Sequence, residues 1–221
     1  MNSCRSGVFG LRTMRGQGLV ETALLFPVLL IVLSGLVEFG FLMNEYMVIQ
    51  DATRNAARFG ANGLYDSRDA EHACGATIDY YRQIGCIVNQ ELAAERPEIA
   101  LNFGNAADDV IVSVFSVEGG SSTHVSDRYP TGEGESGWSG AADSLAWGTR
   151  NQVSKFSTVS INNRLNTATP STGYVLVEVY YEYSMKLGLP WIKIFVHDPV
   201  LLHLYAIMPL SSAEPTSTPI P

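Results

Sequence analysis

Gly16 and Gln17 stand at the mouth of a long apolar stretch, and a carboxylate, Glu21, follows inside it. An ionised carboxylate at the centre of a bilayer costs roughly 2.5–3.5 kcal/mol even on insertion scales, so Glu21 calls for a partner. Peptide cleavage between Gly16 and Gln17 would create one. Glu21 would become the fifth residue, one helical turn from the new α-amino group, and near the terminus of a neighbouring helix staggered along a bundle. An ammonium and a carboxylate desolvated together compensate each other where either alone is expensive.

Other reactive residue types do not assemble into a known catalytic pattern. His72, His124, His197 and His203 are scattered, and the chain has no His-Glu-x-x-His, Cys-x-x-Cys, phosphate loop or Gly-x-Ser-x-Gly. His72 and Cys74 have no matching second cluster, so neither a metal site nor a cofactor is expected, and the chain does not read as an enzyme. Asp108 and Asp109 precede a strand and are expected to face solvent, while His203 reads as a structural histidine on a strand. Cys4 precedes the apolar run; Cys74 and Cys86 follow it. In an oxidising compartment the latter two can pair, a loop closure worth about 3 kcal/mol in the chain-entropy model; the alternative is two unrelated buried thiols. The net charge is −8 for the whole chain and its acidic excess lies beyond residue 44, whereas the first twenty residues hold Arg5, Arg12 and Arg15 and no acid. The acidic balance argues against nucleic acid as a partner.

From Thr22 to Val37 no residue is charged, and the run continues to Met43, enough to cross a hydrocarbon core of roughly 30 Å at 1.5 Å per residue. The arginines on its N-terminal side place that end in the cytoplasm and the rest outside. A cleaved secretory signal would have a shorter core and a small-x-small site. A plain signal anchor fits the length but leaves Glu21 unexplained. A basic leader removed after Gly16 explains the carboxylate, and its loss would also discard Cys4. Glu38 is expected at the outer interface, with no partner assigned.

Three segments carry a family resemblance: "RGQGLVE" before the apolar run, "LVEFG" at its end, and "NAARFGA" at Asn55 to Ala61. Together they resemble the TadE-like proteins, pilin-like components of tight-adherence (Flp, type IVb) pilus assembly systems. The resemblance implies cutting by a dedicated prepilin peptidase between Gly16 and Gln17, with Glu21 as the pilin-type glutamate. It also implies the cytoplasmic membrane and other pilin-like subunits as partners. Gly18 and Thr22 depart from the commoner serine or alanine and aromatic residues. The motif covers about the first fifth of the chain. The expected function is a minor pilin or pseudopilin; the alternative is an uncleaved, signal-anchored binding or adhesion module.

Beyond Met43 the helix is expected to continue to Asn62. Leu42, Tyr46, Ile49, Thr53, Ala56 and Gly60 recur as one helical stripe, and its small residues permit close approach by the chain's own outer domain, by other subunits, or by both. A patchy helical pattern over 66–96 ends at Pro97. "DDVIVSVFSV" and "GYVLVEVYYEYS" read as strands, the second with Val175, Val177, Val179, Tyr181 and Tyr183 on an apolar face and Tyr174, Glu178 and Glu182 on a solvated one. The Gly/Ser-rich stretch 118–150 reads as a long loop. Ser157 or Thr158 caps a short helix, and "LGLPWIKIF" with Trp191 and Lys193 suits either the outer membrane interface or a core-edge loop. "DPVLLHLYAIMPL" reads as a last strand. The expected organisation is a leader (1–16), a transmembrane and extended helix (17–62), an extracytoplasmic α+β domain with an antiparallel sheet (63–210), and a disordered Pro/Ser/Thr tail (211–221), a pilin-like arrangement.

Overall fold

The structure, a computed structural model, describes residues 14–62, 80–120, 122–129, 136–144 and 150–210. Most of the expected leader, Cys74, the first part of the 66–96 pattern, and the expected C-terminal tail lie outside them. A long apolar helix is followed by a small domain with a five-stranded antiparallel sheet, an α+β layout.

Helix α1 runs unbroken over Met14–Asn62, and Pro27 sits within it without ending it. Asn62 closes the helix where Asn-Gly follows in sequence. Helix α2 (Tyr80–Glu95) stops before Pro97, which opens a short 3-10 turn, Pro97–Ile99. Strands β1 (Asp109–Glu118), β2 (His124–Tyr129), β3 (Trp138–Ser139), β4 (Thr172–Tyr183) and β5 (Val200–Pro209) form the sheet. Its order is β2-β1-β4-β5, with β3 also paired to β1. Short helices α3 (Gly140–Ser144), α4 (Thr158–Asn162) and α5 (Pro190–Lys193) sit in the connections. The Ser157 side chain accepts from Ser160 N and so caps α4, which decides between the two candidates, Ser157 and Thr158.

The sheet's core face follows from strand alternation. Val175, Val177, Val179, Tyr181 and Tyr183 of β4 lie in register with Met208, Ala206, Leu204, Leu202 and Val200 of β5. With Val110, Val112 and Val114 of β1, they pack against Ile49, Ala52, Ala56 and Ala57 of α1 and Ile84, Val88 and Leu92 of α2. The helices thus form one layer and the sheet the next.

The opposite face is not solvated as expected. Phe115, Val117 and Leu176 are buried there against Val125, Phe156 and Ile161, and Glu178 and Tyr180 are fully buried as well. Residues 152–165 lie over this face, so the central strands are covered on both sides and the polar-out rule fails. The expected 118–150 loop is also too simple. It contributes β2, β3 and α3, because β1 offers an edge on which Val114–Glu118 pair with β2 and Ile111 and Val112 with β3.

Close approach of α1 to α2 and β4 depends on Gly60. A Cβ there would lie 2.7 Å from Ile84 Cδ1, 3.0 Å from Tyr80 Oη and 3.3 Å from Val175 Cγ2. Tyr80 Oη also donates to Gly60 O at 2.8 Å. Gly60→Val is therefore expected to destabilise the sheet domain by about 1–3 kcal/mol through overpacking. A lowered urea midpoint for the full-length protein in detergent would show it; an unchanged midpoint would contradict this packing.

Candidate functional site

Among the described residues, nothing packs around α1 between Gly18 and Leu33. Every residue from Gly18 to Leu33 is exposed, including Leu24, Leu25, Phe26, Leu29 and Ile31. The helix is long and apolar enough to cross a membrane. From Gly18 to Glu38 it rises ~30 Å at 1.5 Å per residue, about the thickness of a hydrocarbon core. Gly16, Gln17 and Glu21 all fall on this helix, with Glu21 exposed. Nearby, Thr22 Oγ1 donates back to Gly18 O at 2.8 Å.

The helix meets its own domain at Glu38, only 5% exposed, and the contact continues at Glu45, 1% exposed. Seven residues are close to two helical turns, so both carboxylates lie on one face. Tyr181 and Tyr183, two apart on β4, likewise share a face of the sheet. Glu38 Oε1 accepts from Tyr183 Oη at 2.6 Å and from Lys186 N at 2.8 Å, and Glu38 Oε2 from Leu187 N at 2.8 Å. Glu45 Oε2 accepts from Tyr181 Oη at 3.2 Å, while the Lys186 ammonium lies 2.7 Å from Glu45 Oε1. Glu38, expected merely to mark an interface, is thus the acceptor on which the chain after β4 closes.

Stripe residues Ile49, Thr53, Ala56 and Gly60 are buried within the chain's own domain, whereas Tyr46 is 37% exposed at the rim. Glu45 occupies the inward position beside it. Hydrophobic periodicity passed over this position because a carboxylate scores as polar; the available signal was the Glu38–Glu45 spacing facing alternate tyrosines.

The remaining buried acids bind the domain's outer layer. Asp108 and Asp109 are 3% and 0% exposed, which corrects the expectation that they face solvent. Asp108 Oδ1 accepts from Glu182 N and Oδ2 from Asn102 N. Asp109 Oδ2 accepts from Ser139 Oγ and Gln152 N, and Oδ1 from Ala141 N. Each therefore ties a connecting segment to the sheet. On the face away from α1, Glu178 Oε1 lies 2.8 Å from His203 Nε2 and accepts from Lys155 N, so His203 is held in a structural pair. Cys86 lies on α2; its expected partner, Cys74, falls outside the described residues. Among the described residues, no group of three or more His, Cys, Asp and Glu is arranged to hold a metal ion.

Glu38→Leu would leave three donors facing a carboxylate no longer there. At ~1–3 kcal/mol for each buried unsatisfied group, the docked state should lose about 3 kcal/mol or more, and Glu38→Gln, which keeps one acceptor oxygen, should lose less. Urea titration of full-length protein in micelles, followed by proteolytic release of the sheet domain, measures both. Burial, reinforced by the facing carboxylates, pushes the Tyr181 and Tyr183 phenols above their ordinary range. Their contribution is then fully present below the unfolded phenol value of about 10 and is lost as pH rises through the higher folded values. The thermal midpoint should accordingly fall with pH above about 10, less steeply in Tyr181→Phe and Tyr183→Phe; equal slopes would contradict the assignment.

No curated protein and no solved structure matches the chain. Over residues 16–58, from the start of α1 through most of its docked part, the chain matches the TadE family model, described as TadE-like protein.

Proposed function

We propose that this protein is a pilin-like component, a minor pilin or pseudopilin, of a Tad/Flp-type pilus assembly or secretion system. It would be anchored in the cytoplasmic membrane with its N-terminus inside, and processed by a prepilin peptidase after Gly16. The supporting observation is a single helix, matched to the TadE-like family, whose halves differ in environment. Its first half is exposed and apolar, while its second half is docked on a folded domain. A free apolar half can be held by lipid first and by other apolar helices later, without disturbing the domain it carries.

Contacts with other pilin-like subunits are assigned to the exposed half, because Ile49, Thr53, Ala56 and Gly60 are already occupied by the chain's own sheet and α2. Glu21 lies in that exposed half, one turn from Gln17. After cleavage the Gln17 α-amino group and the Glu21 carboxylate would neutralise each other, within one subunit or between staggered neighbours. The outer domain would face an oxidising compartment, where we propose that Cys74 and Cys86 pair.

N-terminal sequencing and intact mass of protein from its native membrane should give a terminus at Gln17, lost in Gly16→Ala. A retained leader in the unaltered protein would favour the uncleaved, signal-anchored binding or adhesion module instead. Glu21→Ala should still insert in the membrane yet fail to support pilus assembly; normal assembly would remove the role given to this carboxylate. Non-reducing peptide mapping should recover Cys74 and Cys86 in one linked fragment, and separately alkylated thiols would refute the pairing.

A further inference from the structure

The connection between β4 and β5 displays apolar side chains to the outside. Ile194 is 77% and Phe195 85% exposed, with Leu187, Trp191 and Val196 each more than a third exposed. Two of its charged groups, Lys193 and Asp198, pair with each other. Asp198 Oδ2 is 2.7 Å from Lys193 Nζ, and Asp198 Oδ1 accepts from Met185 N at 3.1 Å, so the carboxylate staples the two ends of the connection together. The hydrogen bond from Lys193, with that from Met185 N, holds the Asp198 carboxyl below its ordinary range.

The position of this connection along α1 identifies what it meets. Lys186 N and Leu187 N bind Glu38, and Trp191 Nε1 donates to Ser34 Oγ at 3.1 Å. Ser34 is one turn nearer the N-terminus than Glu38, ~6 Å down the axis at 1.5 Å per residue. The connection therefore descends beside the exposed apolar half of the helix, level with Leu33, Leu36 and Val37, themselves exposed. If Gly18 marks the inner boundary, a core of ~30 Å ends near Glu38, which places Trp191 at the depth where tryptophan is enriched. Apolar side chains of interfacial elements sink ~5–10 Å below the headgroups, a depth that matches this descent.

We propose that residues 187–196 form a second membrane contact, an interfacial loop whose Trp191, Ile194 and Phe195 enter the outer leaflet beside the transmembrane helix. Because the Glu38 cluster fixes loop and helix to each other, the two contacts set the height and tilt of the outer domain over the bilayer. The inference rests on the reading that α1 crosses the membrane.

The test uses full-length protein in phosphatidylcholine/phosphatidylglycerol vesicles, with the three tryptophans reduced to one at a time. One reporter keeps Trp191 in a Trp138→Phe/Trp147→Phe background. Others replace Trp191 by Phe as well and carry Phe195→Trp, Leu30→Trp as a crossing control, or Val159→Trp as an aqueous control on α4. Brominated lipid should remove most of the emission at 191, 195 and 30 and little at 159, with iodide giving the reverse order. Emission at 191 and 195 that is open to iodide and insensitive to bromine overturns the loop contact, provided position 30 is quenched by bromine. Shielding of 191 and 195 from both quenchers also overturns it, in favour of a protein partner such as a second copy. Failure of bromine to quench position 30 refutes membrane crossing itself, and the loop contact falls with it.

Discussion

Two carboxylates on one helix face, buried and held by hydrogen bonds and an ion pair, hold this molecule together as a unit. Glu38 and Glu45 could not be tolerated against the sheet without donors, since an uncompensated buried charge is among the most destabilising features a fold can contain. The donors come from one short stretch: the Tyr181 and Tyr183 hydroxyls, the Lys186 ammonium, and the backbone N–H groups of Lys186 and Leu187. That stretch includes the end of β4 and the turn leading away from it, so helix docking and the path of the following chain are fixed by the same hydrogen bonds. Hydrogen bonds are directional where apolar packing is not, and they define the level on the helix at which the domain begins.

The division of α1 into free and docked halves follows. From Gly18 to Leu33 the helix presents Leu, Val, Ile and Phe to its surroundings on every side; above Glu38, small residues let α2 and the sheet approach the backbone, with Gly60 at the tightest point. An apolar rod rigidly attached to a folded domain can move from lipid into a helical bundle without refolding the domain. Such division of labour suits a helix whose match to the TadE-like family model, over residues 16–58, ends within the docked half.

The same solution recurs on a smaller scale in the domain. Asp108, Asp109 and Glu178 accept from backbone N–H groups of the segments laid over the sheet, so covering segments with little regular structure are fastened by carboxylates. These bonds allow the central strands to be buried on both sides. They also explain why a strand bearing Glu178, an acid that reads as solvent-facing, lies at the centre of the sheet.

The apolar run, its continuation to Asn62, the β1 and β4 strands, the Ser157 cap and the α+β class were legible in the sequence because each depends on local periodicity or turn chemistry. Gly16, Gln17 and Glu21 were legible as a pattern for the same reason: they are neighbours along one helix. The two-sided burial of the sheet was not, since the cover over Leu176 comes from Phe156 and Ile161, outside its own strand. Nor were the partners of Glu38, which are separated from it by about two-thirds of the chain and appear in no local pattern. Sequence alone determined which helix is long and apolar enough to enter a membrane. Only the tertiary structure decided where the domain grips that helix, because a buried carboxylate's environment is set by donors that folding brings to it.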